Sequence, residues 1–317
     1  MDLFHYAMMK KIGGGSGGGS SGGGEEGFND GKTRLFIEIA EEGRMDISVC
    51  IYQSVENGVT IDWGDGSAPE TFSGSGHIEV THTYARIGEY IIAFDVVEGC
   101  TFGLGNGSSS SSFMGTITMN KCRLKKAELG NGMSGINSYA YQKFYALTSV
   151  KILDGVTSIG DYAFQYCYAL TSVEISNGVK NIRPYAFQYC YALEKIEIPN
   201  GVKNIWGDTF RCCYALSSVK IPNSVTDISS NAFRSCTSLT KIEFPNSVKS
   251  IYSGAFQDCS NIKVCDFTSH TSVPTLGSAN VFNDIPADCE IRVPMALVDA
   301  WKSATNWSNY EANIVGV

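Results

Sequence analysis

Histidine is scarce in this chain of 317 residues, with four copies at His5, His77, His82 and His270. They are scattered, and none stands beside a nucleophile in a spacing that suggests acyl-transfer or hydrolytic chemistry. There is no phosphate-binding G-x-x-x-x-G-K-[ST] loop, no H-E-x-x-H zinc helix, no G-x-S-x-G elbow and no EF-hand loop, so the common enzyme signatures are missing. Cationic excess is missing too. The net charge is −8 and the isoelectric point is about 5.1, which argues against nucleic acid or an anionic membrane as partner. No apolar run is long enough to span a bilayer. No cofactor is implied and the chain does not read as an enzyme. Against these absences, 43% hydrophobic residues supply ample core for two modules.

What is present is a period. Cysteine recurs every 23 residues, at Cys167, Cys190, Cys213, Cys236 and Cys259, and leucine keeps the same register at Leu124, Leu147, Leu170, Leu193, Leu216 and Leu239. Each leucine opens an L-x-x-V-x-I run, such as Leu193, Ile196 and Ile198, whose alternating end reads as a half-buried strand. An Asn-Gly, Asp-Gly or Asn-Ser pair follows, where a left-handed corner is expected. Then come V-x-x-I (Val202/Ile205) and A-F-x-x-C (Ala186-Phe187 to Cys190). A fixed period of this length indicates a solenoid, in which stacked units share a core that none could bury alone.

These residues resemble the BspA-like leucine-rich repeats, whose signature reads L-x-x-I-x-I-P-x-x-V-x-x-I-x-x-x-A-F-x-x-C, with Pro199, Pro222 and Pro245 at its proline. Repeats are expected over 124–267, closed by a C-terminal cap over 268–317 in which Val298, Trp301 and Ala304 suit a short amphipathic helix. In this register the periodic cysteines are one inward position seen five times: a buried thiol ladder, not a metal or redox motif. Cys212, next to the ladder, cannot also face inward and is expected to be exposed. The total of 11 is odd, so not every cysteine can pair within the chain. Whether Cys50, Cys100, Cys122 or Cys289 pair stays open.

Residues 33–100 have a different rhythm: short strand candidates over 35–40, 45–52, 59–63, 77–82 and 90–97, separated by turn residues, as in an antiparallel sandwich. The run Asp62-Trp63-Gly64-Asp65-Gly66 and the run His82-Thr83-Tyr84 with Gly88-Glu89-Tyr90 resemble the polycystic-kidney-disease (PKD) repeat, an Ig-like sandwich, without the phenylalanine after its tryptophan. Trp63 suits the core between sheets, and Asp65 suits a turn cap. Asp62 and Asp65 are the candidates for a calcium site, and two carboxylates alone make a poor one. The fold class expected is therefore mainly β: an Ig-like, PKD-like sandwich followed by a solenoid of 23-residue coils. Residues 101–123 form a Ser-rich loop and an N-terminal cap, in which Met114, Ile117 and Met119 mark a strand.

The chain opens with Phe4, Met8 and Ile12 on one stripe of a short helix over 1–12. A Gly/Ser tether, natural or engineered, occupies 13–32. The segment does not read as a secretory signal, because its lysines follow the apolar part. It reads as an anchor on a leash, weakly resembling the attachment ends of phage tail proteins, that would dock into a larger assembly.

Tyrosine clusters around the cysteine ladder: Tyr145, Tyr168, Tyr191 and Tyr214 on one side, Tyr166 and Tyr189 on the other, with Tyr139, Tyr162, Tyr185 and Trp206 nearby. Positions beside an inward residue point partly outward. Tyrosine offers rigid, amphipathic contact area at low entropic cost. Mutual stacking is the competing account of these residues. The expected function is a non-enzymatic recognition protein of the adhesin or receptor-binding type, binding a cell-surface protein or glycan through the solenoid. Its setting would be extracellular, in a phage tail or on a bacterial surface. The alternatives are a structural spacer without a ligand of its own, or a surface protein whose export signal lies outside this sequence.

Overall fold

The computed structural model describes residues 30–42, 45–105, 123–130 and 132–317. Gly31–Val317 form one compact unit. The candidate anchor Phe4, Met8 and Ile12, the tether, Cys122 and the strand candidate with Met114, Ile117 and Met119 lie outside the described residues.

The repeats fold as the period predicts. One side of the solenoid is built from parallel strands β8 (Leu124–Leu129), β10 (Ser149–Ile152), β12 (Ser172–Ile175), β14 (Lys195–Glu197) and β16 (Ser218–Lys220). It continues in β18 (Lys241–Glu243), β20 (Val264–Asp266) and β22 (Glu290–Val293). A second side carries two-residue strands: β9 (Gly135–Ile136), β11 (Ser158–Ile159) and β13 (Asn181–Ile182), then β15 (Asn204–Ile205), β17 (Asp227–Ile228), β19 (Ser250–Ile251) and β21 (Thr275–Leu276). Register advances by one repeat per strand, as in Val150↔Val173 and Ile196↔Val219. The loops obey the same rule: Phe164 N–H donates to Ala186 carbonyl at 2.8 Å, and Tyr166 N–H to Gln188 carbonyl at 3.0 Å. Buried backbone groups thus find partners one coil away or, at the turns, three residues back, as Cys190 N–H does at Phe187 O.

Identical stacking orders the core. Phe164, Phe187, Phe210, Phe233, Phe256 and Phe282 form a column of stacked rings 5.3 to 5.7 Å apart. Beside it runs the thiol ladder, in which all five cysteines are fully buried. Each thiol donates to a carbonyl of the preceding coil: Cys190 Sγ to Phe164 O at 3.2 Å, Cys213 to Phe187 O at 3.3 Å, Cys236 to Phe210 O at 3.3 Å. The cysteine is thus a small core residue that also satisfies a buried acceptor. Burial pushes the Cys190, Cys213 and Cys236 thiols well above their usual range and Cys259 up to about 12.

Cys212 departs from expectation: it is only 7% exposed. Its position, before the ladder cysteine, holds Tyr166 and Tyr189 in the preceding coils. Cysteine is the shorter side chain at this position and is buried where the two tyrosines are half-buried. The corners differ as well. Gly132, Gly155 and Gly201 adopt positive φ, but Gly178 does not.

Upstream, β1 (Thr33–Ile39), β2 (Asp46–Gln53), β3 (Val59–Asp62), β5 (Gly76–Thr83) and β6 (Gly88–Val96) match the strand candidates, and β4 (Glu70–Thr71) is a short addition. Phe102–Leu104, assigned from sequence to the linking segment, is strand β7 paired with β2, and its three residues are buried. Two antiparallel sheets result, β1-β6-β3-β4 and β5-β2-β7. β1 pairs with β6 on one edge (Leu35↔Ile92) and with β8 on the other (Leu35↔Ala127). The first coil's open edge is therefore covered by a strand of the sandwich, and the two modules share one hydrophobic core.

At the other end the stack outlasts the sequence period. A longer interval leads from β20 to β22, with Val281-Phe282 at the Ala-Phe position. β23 (Ile314–Gly316) then pairs with β22, and α1 (Val298–Ser303) turns the fully buried Trp301 onto Phe267. Val298 and Ala304 pack beside it. The indole N–H of Trp307 donates to Pro274 O at 2.7 Å.

This core makes a direct prediction. Maleimide labelling with peptide mapping of the native protein should modify half-buried Cys50 and leave the five ladder cysteines untouched until urea unfolds the chain. Ladder labelling as fast as that of Cys50 would mean that the coils open readily.

Candidate recognition surface

The segment between Ile159 and Leu170 of each coil bears the tyrosines, and the stack turns them into columns. The first is Tyr139, Tyr162 and Tyr185, with parallel rings 4.9 and 4.5 Å apart. The second is Tyr166 and Tyr189, at 4.9 Å. The third is Tyr145, Tyr168, Tyr191 and Tyr214, in steps of 5.3, 4.8 and 4.9 Å. The second and third columns meet edge to face, Tyr166 on Tyr168 and Tyr189 on Tyr191. Every sequence-predicted tyrosine is half-buried. Trp206 stands apart from the columns and carries the Arg183 guanidinium 5.6 Å from its ring centre.

Backbone conformation distinguishes the columns. Tyr139, Tyr162 and Tyr185 have φ of 62°, 58° and 61°, and Tyr166 and Tyr189 have 64° and 62°. Later coils hold Asp208, Asn231 and Gly254 at the first of these positions and Cys212, Ser235 and Asp258 at the second, all with positive φ also. Asn, Asp and Gly suit this conformation, whereas a bulky side chain raises the energy by about 1–2 kcal/mol. A stacked aromatic pair returns about 0.5–1.5 kcal/mol. The two terms nearly cancel, so stability alone does not account for tyrosine at these positions. The third column is free of this strain, and there stacking stabilises outright.

Under the rings runs a line of amides that the sequence reading passed over. Gln142 Nε2 donates to Gln165 Oε1 at 2.6 Å, and Gln165 Nε2 donates to Gln188 Oε1. Gln188 Nε2 reaches Asp208 Oδ1 at 3.5 Å, where Arg211 Nη1 donates at 3.1 Å. Gln165, Gln188 and Asp208 are buried. The glutamines share the same period, one residue past the aromatic of the core column, whereas Asp208 stands two residues before Phe210. The line ends in the coil where the first two columns also end. Burial, reinforced by neighbouring phenols, pushes Tyr168 and Tyr191 well above the ordinary phenol range. Burial and the Cys212 thiol push Tyr214 up to about 12. These phenols stay neutral at any physiological pH.

A cleft of about 580 Å³ lies elsewhere, on the strand side, among Lys195, Lys220, Lys241, Glu197 and Glu243. Its charges are mixed in sign, as on a solvated face, and it shares no residue with the columns.

In the sandwich, Asp62 Oδ1 accepts from Gly64 N–H at 2.9 Å. Asp65 accepts from Ser67 N–H at 3.0 Å and from His82 Nε2 at 2.8 Å. His82 lies flat on Trp63 at 4.7 Å, and Tyr84 Oη donates to Trp63 O at 2.9 Å. Gly64 is required, since a Cβ would stand 2.4 Å from the Ile91 carbonyl. Both carboxylates are thus engaged by turn and imidazole donors. Among the described residues no three His, Cys, Asp or Glu side chains gather to hold a metal ion. Burial raises the Asp65 pKa, but the Ser67 and His82 hydrogen bonds outweigh it, leaving it at about 2.

The profile described as BspA type leucine rich repeat region matches in six copies, over residues 76–194, 112–228 and 180–285. The chain belongs to this family. The matched spans run ahead of the first coil into the sandwich strands β5 and β6. Among solved structures, the BspA-type chain is similar to a leucine rich cell surface protein from Faecalibacterium prausnitzii, with 33% identity and a TM-score of 0.44. That match covers 48% of this chain and 40% of the other, so the chain spans well under half of that protein. It is also similar to a leucine rich repeat protein of T. pallidum, with 28% identity, coverage of 52% and 72%, and a TM-score of 0.43. A leucine-rich repeat protein from Bacteroides ovatus matches with 20% identity, coverage of 60% and 58%, and a TM-score of 0.40. No curated protein matches.

Two outcomes follow. Tyr185→Asn, which loses one stack and relieves one strained backbone, should change unfolding stability by no more than about 1 kcal/mol in urea. A loss above about 3 kcal/mol would make the tyrosine a stability residue. Asp65 is held below its usual value in the folded state, so its contribution is complete above about pH 4 and is lost as pH falls toward 2. Asp65→Asn should therefore lower the melting point at pH 7 and lose that deficit near pH 2.

Proposed function

We propose that this BspA-type protein is a non-enzymatic recognition protein of the adhesin or receptor-binding type, holding a cell-surface protein or glycan against its tyrosine columns. The observation that carries the reading is tyrosine in left-handed backbone at Tyr162, Tyr166, Tyr185 and Tyr189, with side chains left half-exposed. Strain kept at a partly exposed aromatic position, where stacking does no more than offset it, favours a role in binding. Family membership supports a protein-binding, surface-associated role. Among the described residues no helix is long and apolar enough to cross a membrane.

In this reading residues 33–104 are a PKD-like module, supported by the two antiparallel sheets and by the Trp63, Asp65, His82 and Tyr84 contacts around the Asp62–Gly66 turn. The module is also the solenoid's first cap, through β1. The segment with Phe4, Met8 and Ile12 attaches the protein to a larger assembly, a phage tail or a bacterial surface. The second reading, a structural protein without a ligand, is favoured by the unstrained third column.

The double variant Tyr166→Ser with Tyr189→Ser, which installs the residue that Ser235 supplies at the same position in a later coil, separates them. Loss of binding to host cells with an unchanged melting curve supports recognition. Unchanged cell binding with a lowered melting point supports the structural reading.

A further inference from the structure

Two of the tyrosine columns stop in the same coil, and short side chains follow them. Past Tyr185 the first position holds Asp208, Asn231 and Gly254, and past Tyr189 the second holds Cys212, Ser235 and Asp258. Among the described residues Tyr185 stacks on Tyr162 alone, and Tyr189 lies face to face with Tyr166 alone. Each therefore keeps the ring face toward the carboxyl-terminal coils without an aromatic neighbour. The third column runs one coil further, to Tyr214. The outcome is a step: two phenol faces in one coil, with a ledge of three coils in front of them. At a strand spacing of about 4.8 Å that ledge extends about 14 Å, far more than the thickness of one ring.

The ledge is polar. Arg211 Nη1 lies 3.1 Å from Asp208 Oδ1, and Arg234 Nε lies 3.2 Å from Asp258 Oδ2. These pairs balance in charge and fix two planar guanidinium forks. Asn231 stands in the coil between Asp208 and Asp258. Its side-chain amide is half-buried and makes no hydrogen bond within the described residues, yet it is no buried unsatisfied group. Gly254 leaves that amide its room, since a Cβ there would stand 2.6 Å from Asn231 Oδ1.

Resting on the recognition reading above, we infer that this step binds a neutral oligosaccharide, its sugar rings packed on the Tyr185 and Tyr189 faces and its hydroxyl edge turned to Arg211 and Asn231. Three features select it. The C–H face of a pyranose carries slight positive charge and packs on the negative face of an aromatic ring, and two such faces stand in one coil. Hydroxyls on adjacent carbons both donate and accept, and a primary amide beside a guanidinium fork meets both needs. An acidic sugar calls for an unpaired cation, and both arginines of the ledge are paired. The exposed Lys143 stands at the opposite end of the second column, beyond Tyr166, and the chain as a whole carries −8. The strained backbone fits the same place: Tyr185 and Tyr189, with φ of 61° and 62°, are the last tyrosines of their columns and face the ledge.

The test separates ring faces, ledge and distant charge. The full chain is prepared as wild type, as Tyr185→Asn/Tyr189→Ser, as Tyr185→Phe/Tyr189→Phe, as Asn231→Gly and as Lys143→Gln, with a melting curve for each. The first variant and Asn231→Gly install residues that later coils already carry at these positions. All are applied to an array of neutral and acidic oligosaccharides, to a displayed library of random peptides and to host cells. The inference expects neutral oligosaccharides to bind the wild type, to bind the phenylalanine variant and Lys143→Gln within about threefold as well, and to bind Tyr185→Asn/Tyr189→Ser and Asn231→Gly about tenfold or more weakly, with melting close to wild type. It is overturned if no neutral saccharide binds, if the variant without the ring faces or Asn231→Gly binds as the wild type does, or if the saccharides bound are acidic ones lost with Lys143→Gln. Should peptides alone be enriched and be lost with Tyr185→Asn/Tyr189→Ser, recognition by the columns stands and the saccharide assignment falls. Should array and library both stay empty while host-cell binding survives loss of the ring faces, recognition by this face falls with it.

Discussion

Everything in this protein depends on coils stacking in register. A backbone N–H of one coil meets the carbonyl one repeat away, so a residue and its counterpart 23 positions on occupy equivalent places. That constraint makes columns of side chains, and the columns then differ by chemistry. Phenylalanine rings pack face on face in the core. Thiols in the next column pass a hydrogen bond back to the preceding coil. Glutamines in a third donate the other way, each amide N–H to the amide oxygen of the following coil. Tyrosine columns outside them are aligned by the same translation.

A stack has two ends, and each exposes an apolar face and unpaired strand edges. At the amino-terminal side β1 serves as a sandwich strand and as the cover of the first coil. At the carboxyl-terminal side the sequence abandons the period. It stretches one coil, adds β23 and lays Trp301 and Trp307 over Phe267. His270 is buried there with one nitrogen toward Val248 O, and burial lowers its pKa.

Much of the solenoid was legible because its rule is local and repeated. Leu193, Ile196, Cys190 and Phe187 each stand where their types recur, so their inward direction followed from the period alone. The sandwich strands were legible by alternation, as was Trp63 in its core. Phe102–Leu104 was not, because three residues before a serine-rich run carry no periodicity, and only pairing with β2 makes them a strand. Cys212 was misjudged for a related reason. The sequence says which residue flanks the ladder, but not how deeply a shorter side chain sits at that position once the coils stack. The amide line shared the period and was still missed, since glutamine after phenylalanine reads as a surface residue until its partner one coil away is known.

The amino-acid sequence by itself determined the coil length, the inward positions, the aromatic content beside the ladder and the change of architecture near residue 124. Those properties reside in spacing and residue type, which need no neighbour to be defined. Tertiary structure decided that the sandwich caps the solenoid, that Asp62 and Asp65 are occupied by turn and imidazole donors, and that the tyrosines stand in left-handed backbone. It also decided that tyrosines of successive coils stack with parallel rings. Each of these is a relation between segments, and only the folded chain brings those segments within hydrogen-bond or van der Waals distance.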